Sequence, residues 1–178
     1  MIYFLHGLKS NAKGLKASAL REKYPQISCP VLPPDPWKRH DILLDHVQAP
    51  ALLVGSSLGG LSALLLARDV PERVLGMVLI APAVGFSNPE YRTPALLALV
   101  ANLVVPPTIP TTIIAGLRDE VIPLTDICDL VERSPRQANI RFLSLDDDHR
   151  LNSAQAHTAM LAAVASYQKL ETTQPPTT

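Results

Sequence analysis

Residues 51–67 read ALLVGSSLGGLSALLLA and decide the fold. A short apolar run meets a turn of small residues, and an apolar stretch with helical spacing follows the turn. The turn carries the pattern G-x-S-x-G, with Ser57 centred between Gly55 and Gly59. A strand-to-helix turn this sharp presents a serine hydroxyl at the top of a sheet, and it needs glycines because other chain segments pass close by. The sequence therefore predicts a nucleophilic serine at residue 57.

Two other interpretations of this turn are weaker. Phosphate-binding loops also place small residues between a strand and a helix, but this turn lacks the Walker lysine and the G-x-G-x-x-G spacing. Ser56 is the neighbouring hydroxyl, but it is not centred between the two glycines. The turn also sets Ser57 at the N-terminus of the following helix, where backbone N–H groups favour developing negative charge.

Short apolar runs alternate with helical patterns along the whole chain. The runs predict strands at Met1–His6, Ile27–Val31, Ala51–Gly55, Val74–Ile80, Thr111–Ala115 and Ile140–Leu145. Helical patterns lie at Asn11–Tyr24, His40–His46, Leu58–Asp69, Leu124–Arg133 and Asn152–Leu170. Most of the runs are continuously apolar, which is typical of strands buried on both faces of a parallel sheet. We expect one α/β domain over residues 1–171, with about six mostly parallel strands, helices on both faces and a disordered tail over residues 172–178.

A histidine and a glycine, His6-Gly7, directly follow the first predicted strand. In a sheet that carries a nucleophile turn, a loop near this position supplies one N–H of the oxyanion hole, and the residue after the serine supplies the other. The candidate amides are therefore those of Leu8 and Leu58. We interpret His6 as a residue that orders the loop rather than as a base, and Ser10 as a candidate cap for the first helix.

Two further strand ends supply an acid and a base. The pattern G-x-x-D-x-x-[IV]-P after the fifth run favours Asp119 as the acid over its neighbour Glu120. The alternative for Asp119 is an ordinary exposed turn, in which aspartate is common. His149 follows the last predicted strand and completes the chain order Ser…Asp…His. The sequence thus predicts Ser57, Asp119 and His149 as catalytic residues.

The stretch from residue 85 to residue 110 is long for a connection. Its centre, Pro94–Val105, is almost wholly apolar and bounded by prolines. It is either a helix packed on the domain or a lid over the site at residues 86–107. As a lid, it would line an apolar substrate pocket with Leu96, Leu99, Val100 and Leu103. If it packs outward, the same residues would form an interface with a partner or with a second copy of the chain, a homodimer.

Composition narrows the classes of function. The formal net charge of +0 over 178 residues provides no basic field for nucleic acid. No apolar run is long enough for an integral membrane segment, and the first residues lack the pattern of a signal peptide, so we expect a cytoplasmic protein. A membrane-surface role for the apolar insertion is disfavoured because Pro94–Pro110 contains no Lys or Arg. Cys29 and Cys128 lie far apart in sequence and indicate no metal site.

The stretches Phe4–Ser10, Lys13–Leu20 and Gly55–Gly60 together resemble the small bacterial α/β-hydrolases of the YqiA-like esterase type. The resemblance extends to about Leu170, and its most specific parts are G-S-S-L-G-G and H-G-x-x-S. It implies hydrolysis of a small-molecule acyl ester or thioester by a Ser-His-Asp triad, through an acyl-enzyme and without a cofactor or metal. Cleavage of lactones or amides is an alternative. A non-catalytic binding or scaffold protein is another, because a fold does not fix a function.

Overall fold

Five parallel strands form one sheet in the computed structural model, which describes residues 1–173. The strands are β1 (Ile2–Leu5), β2 (Ala51–Ser56), β3 (Val74–Ile80), β4 (Thr111–Gly116) and β5 (Ile140–Leu145), and they lie in that order. The helices are α1 (Leu15–Lys23), α2 (Pro36–His46), α3 (Leu58–Asp69), α4 (Pro94–Ala101), α5 (Leu124–Arg133) and α6 (Ala154–Thr173). The predicted α/β class with a mainly parallel sheet is confirmed.

Both faces of β2, β3 and β4 are buried, which explains why these strands are mainly apolar. Neighbouring residues of β2 point to opposite faces, so Leu53 and Val54 belong to different apolar clusters. Leu53 packs in the cluster that contains buried residues of α2, α3 and α5. Val54 packs in the cluster that contains buried residues of α1 and α6. The prediction of helices on both faces is therefore correct.

One predicted strand is nearly absent. The segment Ile27–Val31 joins the sheet edge only by a parallel bridge between Tyr3 and Ser28. Two backbone hydrogen bonds make this bridge, from the Phe4 N–H to the Ser28 carbonyl and from the Ser28 N–H to the Ile2 carbonyl. Proline lacks the N–H that a longer ladder needs, and Pro30 stands two residues after Ser28.

Two helices begin at residues that the sequence analysis did not predict. Helix α2 begins at Pro36, four residues before the predicted start, because Asp35 accepts hydrogen bonds from the N–H groups of Trp37 and Lys38. An aspartate N-cap followed by proline is a strong start signal, and the proline-rich stretch was interpreted only as a stiff loop. Helix α1 begins at Leu15 rather than Asn11, so Ser10 is not its cap.

The last helix and the insertion complete the domain. Helix α6 continues through Thr173, past the predicted end at Leu170, and the rest of the predicted tail, 174–178, lies outside the described residues. Within the insertion 86–107, the second half is part of the core, because Val100 and Leu103 are buried. The Arg133 guanidinium fixes this half by donating hydrogen bonds to the carbonyl oxygens of both residues.

Candidate active site

The turn after β2 holds Ser57 in a strained backbone conformation. Its φ is 52° and its ψ is −117°. Residues other than glycine rarely adopt a positive φ. A Cβ at Gly55 would lie 2.4 Å from the Gly59 carbonyl oxygen, and one at Gly59 would lie 1.9 Å from the Leu5 carbonyl oxygen. Both glycines are therefore required sterically, as the sequence pattern predicts. Strain of this kind typically concentrates at functional sites.

His149 joins the serine to an acidic side chain. Its Nε2 lies 3.0 Å from the Ser57 Oγ, and its Nδ1 lies 3.0 and 2.9 Å from the two carboxylate oxygens of Asp119. A carboxylate facing Nδ1 favours the tautomer in which Nδ1 carries the proton, which leaves Nε2 free to accept the serine proton. The structure thus brings together the three residues that the sequence analysis placed after β2, β4 and β5.

Backbone amides hold Asp119 in place. Its Oδ1 accepts hydrogen bonds from the N–H groups of Val121 and Ile122, and its side chain is 1% exposed. These bonds orient the carboxylate toward the imidazole. The alternative acid, Glu120, is exposed, and its carboxylate forms no hydrogen bond to another described residue.

The loop after β1 lies directly against the serine. A Cβ at Gly7 would lie 3.2 Å from the Ser57 Cβ, so a residue larger than glycine would crowd Ser57. Leu8 and Leu58 both line the cavity around Ser57. Within residues 1–173, neither of their N–H groups donates a hydrogen bond, so both remain available to an oxygen in the cavity.

His6 and Arg39 form hydrogen bonds to backbone carbonyls of this loop. The Leu32 N–H donates to the Nε2 of His6 at 3.1 Å, so the proton of the imidazole is on Nδ1, which donates to the Gly7 carbonyl at 2.8 Å. Burial, and secondarily the charge of Arg39, lower the pKa of His6 below its ordinary value, while the bond to Gly7 opposes this shift. The interpretation of His6 as a loop-ordering residue agrees with these contacts.

Arg39 is a feature that the sequence analysis missed. Its guanidinium is 0% exposed and donates to the His6 carbonyl oxygen. Its Nε and Nη1 have no hydrogen-bond partner among the described residues, and burial lowers its pKa to about 10. The sequence gives no indication that Arg39 is buried, since an arginine in an amphipathic helix normally faces solvent.

An open cavity of about 880 Å³ contains Ser57 and His149 in its wall. One side is apolar and includes Phe86, Tyr91, Leu96, Val121 and Ile122. The hydrogen bond from the Ser87 N–H to the Val121 carbonyl, at 2.9 Å, joins the two segments that form this side. A cavity of this size accommodates a small organic molecule.

The predicted pocket residues require a correction. Of Leu96, Leu99, Val100 and Leu103, only Leu96 lines the cavity. Val100 and Leu103 are 5% and 1% exposed in the core, and Leu99 packs against the same cluster. Leu96, Leu99 and Val100 share one face of α4, and this face packs against the core rather than facing the cavity. Only Leu96, near the N-terminal end of α4, also reaches the cavity wall. The first part of the insertion supplies Phe86, Asn88 and Tyr91 instead, which the sequence analysis did not single out.

Another part of the cavity wall, the basic side, carries polar and cationic residues. It includes Lys9, Ser10, Lys16, Arg150 and Asn152. The Lys16 Nζ donates to the Arg150 carbonyl and, at 3.3 Å, to the Asn152 Oδ1, which joins α1 to the loop of His149. Burial lowers the pKa of the Lys16 ammonium, and the carboxylates of Asp147 and Asp148 oppose that shift.

Among residues 1–168, whose side chains the structure describes, no group of three His, Cys, Asp or Glu is placed to hold a metal ion. No helix within residues 1–173 is long and apolar enough to cross a membrane.

Part of this sequence is similar to sequences of known hydrolases. The model of the family described as serine aminopeptidase, S33, matches residues 39–108. Human monoglyceride lipase is 45% identical over 64 residues, which are 35% of this chain and 21% of the lipase. The chain therefore matches only about a fifth of the length of that relative.

Solved structures match over nearly the whole chain. The α/β-hydrolase domain-containing protein 10 from mouse superposes with a TM-score of 0.77 at 21% identity, covering 95% of this chain and 90% of that one. The monoacylglycerol lipase from Paleococcus ferrophilus superposes with a TM-score of 0.75 at 13% identity, covering 93% and 94%. These likenesses show the α/β-hydrolase fold, and the YqiA-like subtype stays a prediction.

Proposed function

We propose that this chain, a member of the α/β-hydrolase superfamily by fold, is a serine hydrolase that cleaves carboxylic esters or thioesters. The observation that carries the proposal is the hydrogen-bonded chain from the Ser57 Oγ through His149 to Asp119, in the wall of an open cavity. A serine, a base and an orienting acid in this arrangement form the general geometry of acyl-transfer catalysis.

In the first half of the proposed reaction, the Ser57 Oγ attacks the acyl carbonyl carbon while the Nε2 of His149 takes the hydroxyl proton. Asp119 stabilises the imidazolium that forms. The carbonyl oxygen becomes an oxyanion, which the N–H groups of Leu8 and Leu58 bind. When the bond to the leaving alcohol or thiol breaks, His149 gives its proton to the departing oxygen or sulfur.

In the second half, water releases the acyl group. His149 removes a proton from water as the water oxygen attacks the acyl carbon of the ester on Ser57. The same two amides bind the second oxyanion. Collapse of that intermediate releases a carboxylic acid, and the proton on His149 returns to the Ser57 oxygen.

The acyl part belongs on the apolar side of the cavity. Phe86, Tyr91 and Leu96 offer a surface for a hydrocarbon chain there. Oxygen esters, including monoacylglycerols, are the first substrates to test, because two lipases of that type resemble this chain. An aminoacyl amide is the matched test of the peptidase activity named in the family description.

The proposal is tested by p-nitrophenyl esters of increasing acyl length, together with a fluorophosphonate that labels activated serines. We expect the wild type to turn over the esters and to carry one label, mapped to Ser57 by peptide mass. Ser57→Ala should lose both the turnover and the label. The acyl-length profile reports how long a chain the apolar side accepts.

The neighbouring serine provides the matched control. Ser56→Ala removes a hydroxyl one residue away and should keep the fluorophosphonate label. Turnover that survives in Ser57→Ala, or a label that maps to Ser56, would contradict the assignment. A folded wild type that neither hydrolyses any ester nor reacts with the fluorophosphonate would favour a non-catalytic binding role.

A further inference from the structure

The charges in the cavity wall are distributed unevenly. Three cationic side chains, Lys9, Lys16 and Arg150, line it against one carboxylate, that of Glu120. Lys9 and Arg150 are exposed, and within residues 1–173 their charged groups form no hydrogen bond or ion pair. Two cations on the wall of a cavity that also holds a nucleophilic serine are therefore left for a ligand.

The cations and the carboxylate come from different segments of the chain. Lys16 and Arg150 are joined by the hydrogen bond from the Lys16 Nζ to the Arg150 carbonyl, and Lys9 belongs to the loop that leads to α1. Glu120 precedes Val121, whose carbonyl is bonded to Ser87 on the apolar side. Cationic side chains therefore outnumber the single carboxylate in the cavity wall, and two of the three cations belong to segments that the Lys16–Arg150 hydrogen bond joins.

Two carboxylates near the basic side are bonded within their own loop. Asp147 and Asp148 act on Lys16 but do not line the cavity. The Asp147 carboxylate accepts hydrogen bonds from the backbone N–H groups of Asp148 and Ser153, and the Asp148 carboxylate accepts one from the Arg150 N–H. The carboxylates thus point into their own loop, while Lys9 and Arg150 face the cavity.

The reaction itself decides which part of a substrate meets these cations. His149 must hand a proton to the leaving oxygen or sulfur, so the leaving group departs beside its Nε2. Arg150 follows His149 directly, and Lys16 is bonded to the carbonyl of Arg150. The acyl chain occupies the other, apolar side, so the alcohol or thiol part of the ester meets the basic side.

We propose that the basic side formed by Lys9, Lys16 and Arg150 binds an anionic group, a carboxylate or a phosphate, carried by the leaving alcohol or thiol. This inference rests on the proposed serine-hydrolase function and specifies its substrate class. Arginine and lysine both bind such oxyanions through charge-assisted hydrogen bonds.

Two matched ester pairs with one acyl group test the inference. The first pair is 1-hexanoylglycerol and 1-hexanoylglycerol 3-phosphate; the second is the hexanoate esters of 4-hydroxybenzamide and 4-hydroxybenzoate. For at least one pair we expect kcat/KM to be about fivefold to tenfold higher for the anionic ester in low salt. The ratio should fall toward one at high salt, because screening weakens exposed charge pairs. The pair with the larger ratio identifies phosphate or carboxylate as the preferred anion.

Charge reversal provides the variant test. Arg150→Glu should lower the anionic-to-neutral ratio by about tenfold, and Lys9→Glu should lower it independently from the other loop. Arg136→Glu makes the same change of net charge at an exposed arginine outside the cavity, and it should keep the wild-type ratio.

The outcomes are distinguishable from failure of the proposed function. Equal or slower turnover of both anionic esters by an enzyme that hydrolyses the neutral ones would overturn this inference and leave the hydrolase proposal intact. A ratio that falls equally in Arg136→Glu would also overturn it, since the effect would then come from net charge. Hydrolysis of none of the four esters, with no fluorophosphonate label, would contradict the hydrolase proposal itself.

Discussion

The guanidinium of Arg39 donates a hydrogen bond to the backbone carbonyl of His6, from a site with no exposure to solvent. His6 directly precedes Gly7 and Leu8, and the amide of Leu8 is one of the two proposed oxyanion donors. Burying an arginine without a carboxylate partner is costly, because the charge loses its hydration. The contact therefore contributes more to the position of the loop than to the stability of the fold.

The first prediction concerns this arginine. Arg39→Met keeps most of the side-chain volume but removes both the charge and the donor to His6. We expect kcat for a p-nitrophenyl ester to fall by about tenfold or more, because the oxyanion amide loses its fixed position. The midpoint of thermal unfolding should change little, because the lost hydrogen bond is offset by relief of the buried charge. An unchanged kcat beside a strongly lowered melting temperature would show that Arg39 is structural only.

The second prediction is a pH dependence of stability. The folded-state pKa of His6 lies below its ordinary value of 6.5, so the unfolded chain binds a proton more readily. Stability from His6 is therefore complete above about pH 6.5 and is lost as the pH falls from there through the folded-state pKa. Thermal unfolding of the wild type between pH 7.5 and 5 should show this loss.

A variant separates His6 from the other titrating groups. His6→Asn retains a side-chain donor near the Nδ1 position but does not titrate in this range. The difference in melting temperature between wild type and variant should shrink as the pH falls, because only the wild type loses stability through this group. A constant difference across the range would show that protonation of His6 does not contribute.

The features that the sequence predicted correctly are those that depend on neighbouring residues in the chain. The positions of Gly55 and Gly59 around Ser57 follow from a turn that excludes any Cβ, so they can be inferred from the pattern alone. The parallel sheet follows from apolar runs such as Val74–Ile80, in which six of the seven residues are buried. Asp119 and His149 meet near Ser57 because each follows a strand, and the carboxyl ends of parallel strands lie at one edge of the sheet.

The sequence did not predict the features that depend on tertiary contacts, namely which residues line the cavity and which are buried. The apolar run 94–105 gives no indication of which face meets the core, and so Val100 was wrongly assigned to the pocket. Phe86 and Tyr91, which do line the cavity, have no periodic pattern that marks them. Arg39 was missed because the burial of a helical arginine depends on which other segments of the chain pack against it.

The third prediction tests the close approach of the turn to β1. A Cβ at Gly59 would lie 1.9 Å from the backbone oxygen of Leu5, and a backbone atom of β1, which is paired with β2 and packed beneath the turn, cannot move aside cheaply. Gly59→Ala should lower the unfolding free energy by about 3 kcal/mol or prevent folding. Gly14→Ala is the matched control, because its nearest contact is the flexible side chain of Ser10 and its φ of −67° suits alanine. Urea unfolding of both variants gives the comparison, and equal losses would contradict the steric argument.

The last prediction separates the role of Asp119 in orienting the base from its role in holding the loop. Asp119→Asn keeps an oxygen that can accept from the N–H groups of Val121 and Ile122, so the loop should survive and the melting temperature should change little. The amide does not stabilise an imidazolium, and its NH₂ favours the wrong tautomer of His149, so kcat should fall by about a thousandfold or more. The rate of fluorophosphonate labelling of Ser57 should fall with it, because labelling also requires the base. Glu120→Gln, at the alternative acid, should cost less than about tenfold in kcat. A loss in Glu120→Gln that matched the loss in Asp119→Asn would mean that the acid had been assigned to the wrong residue.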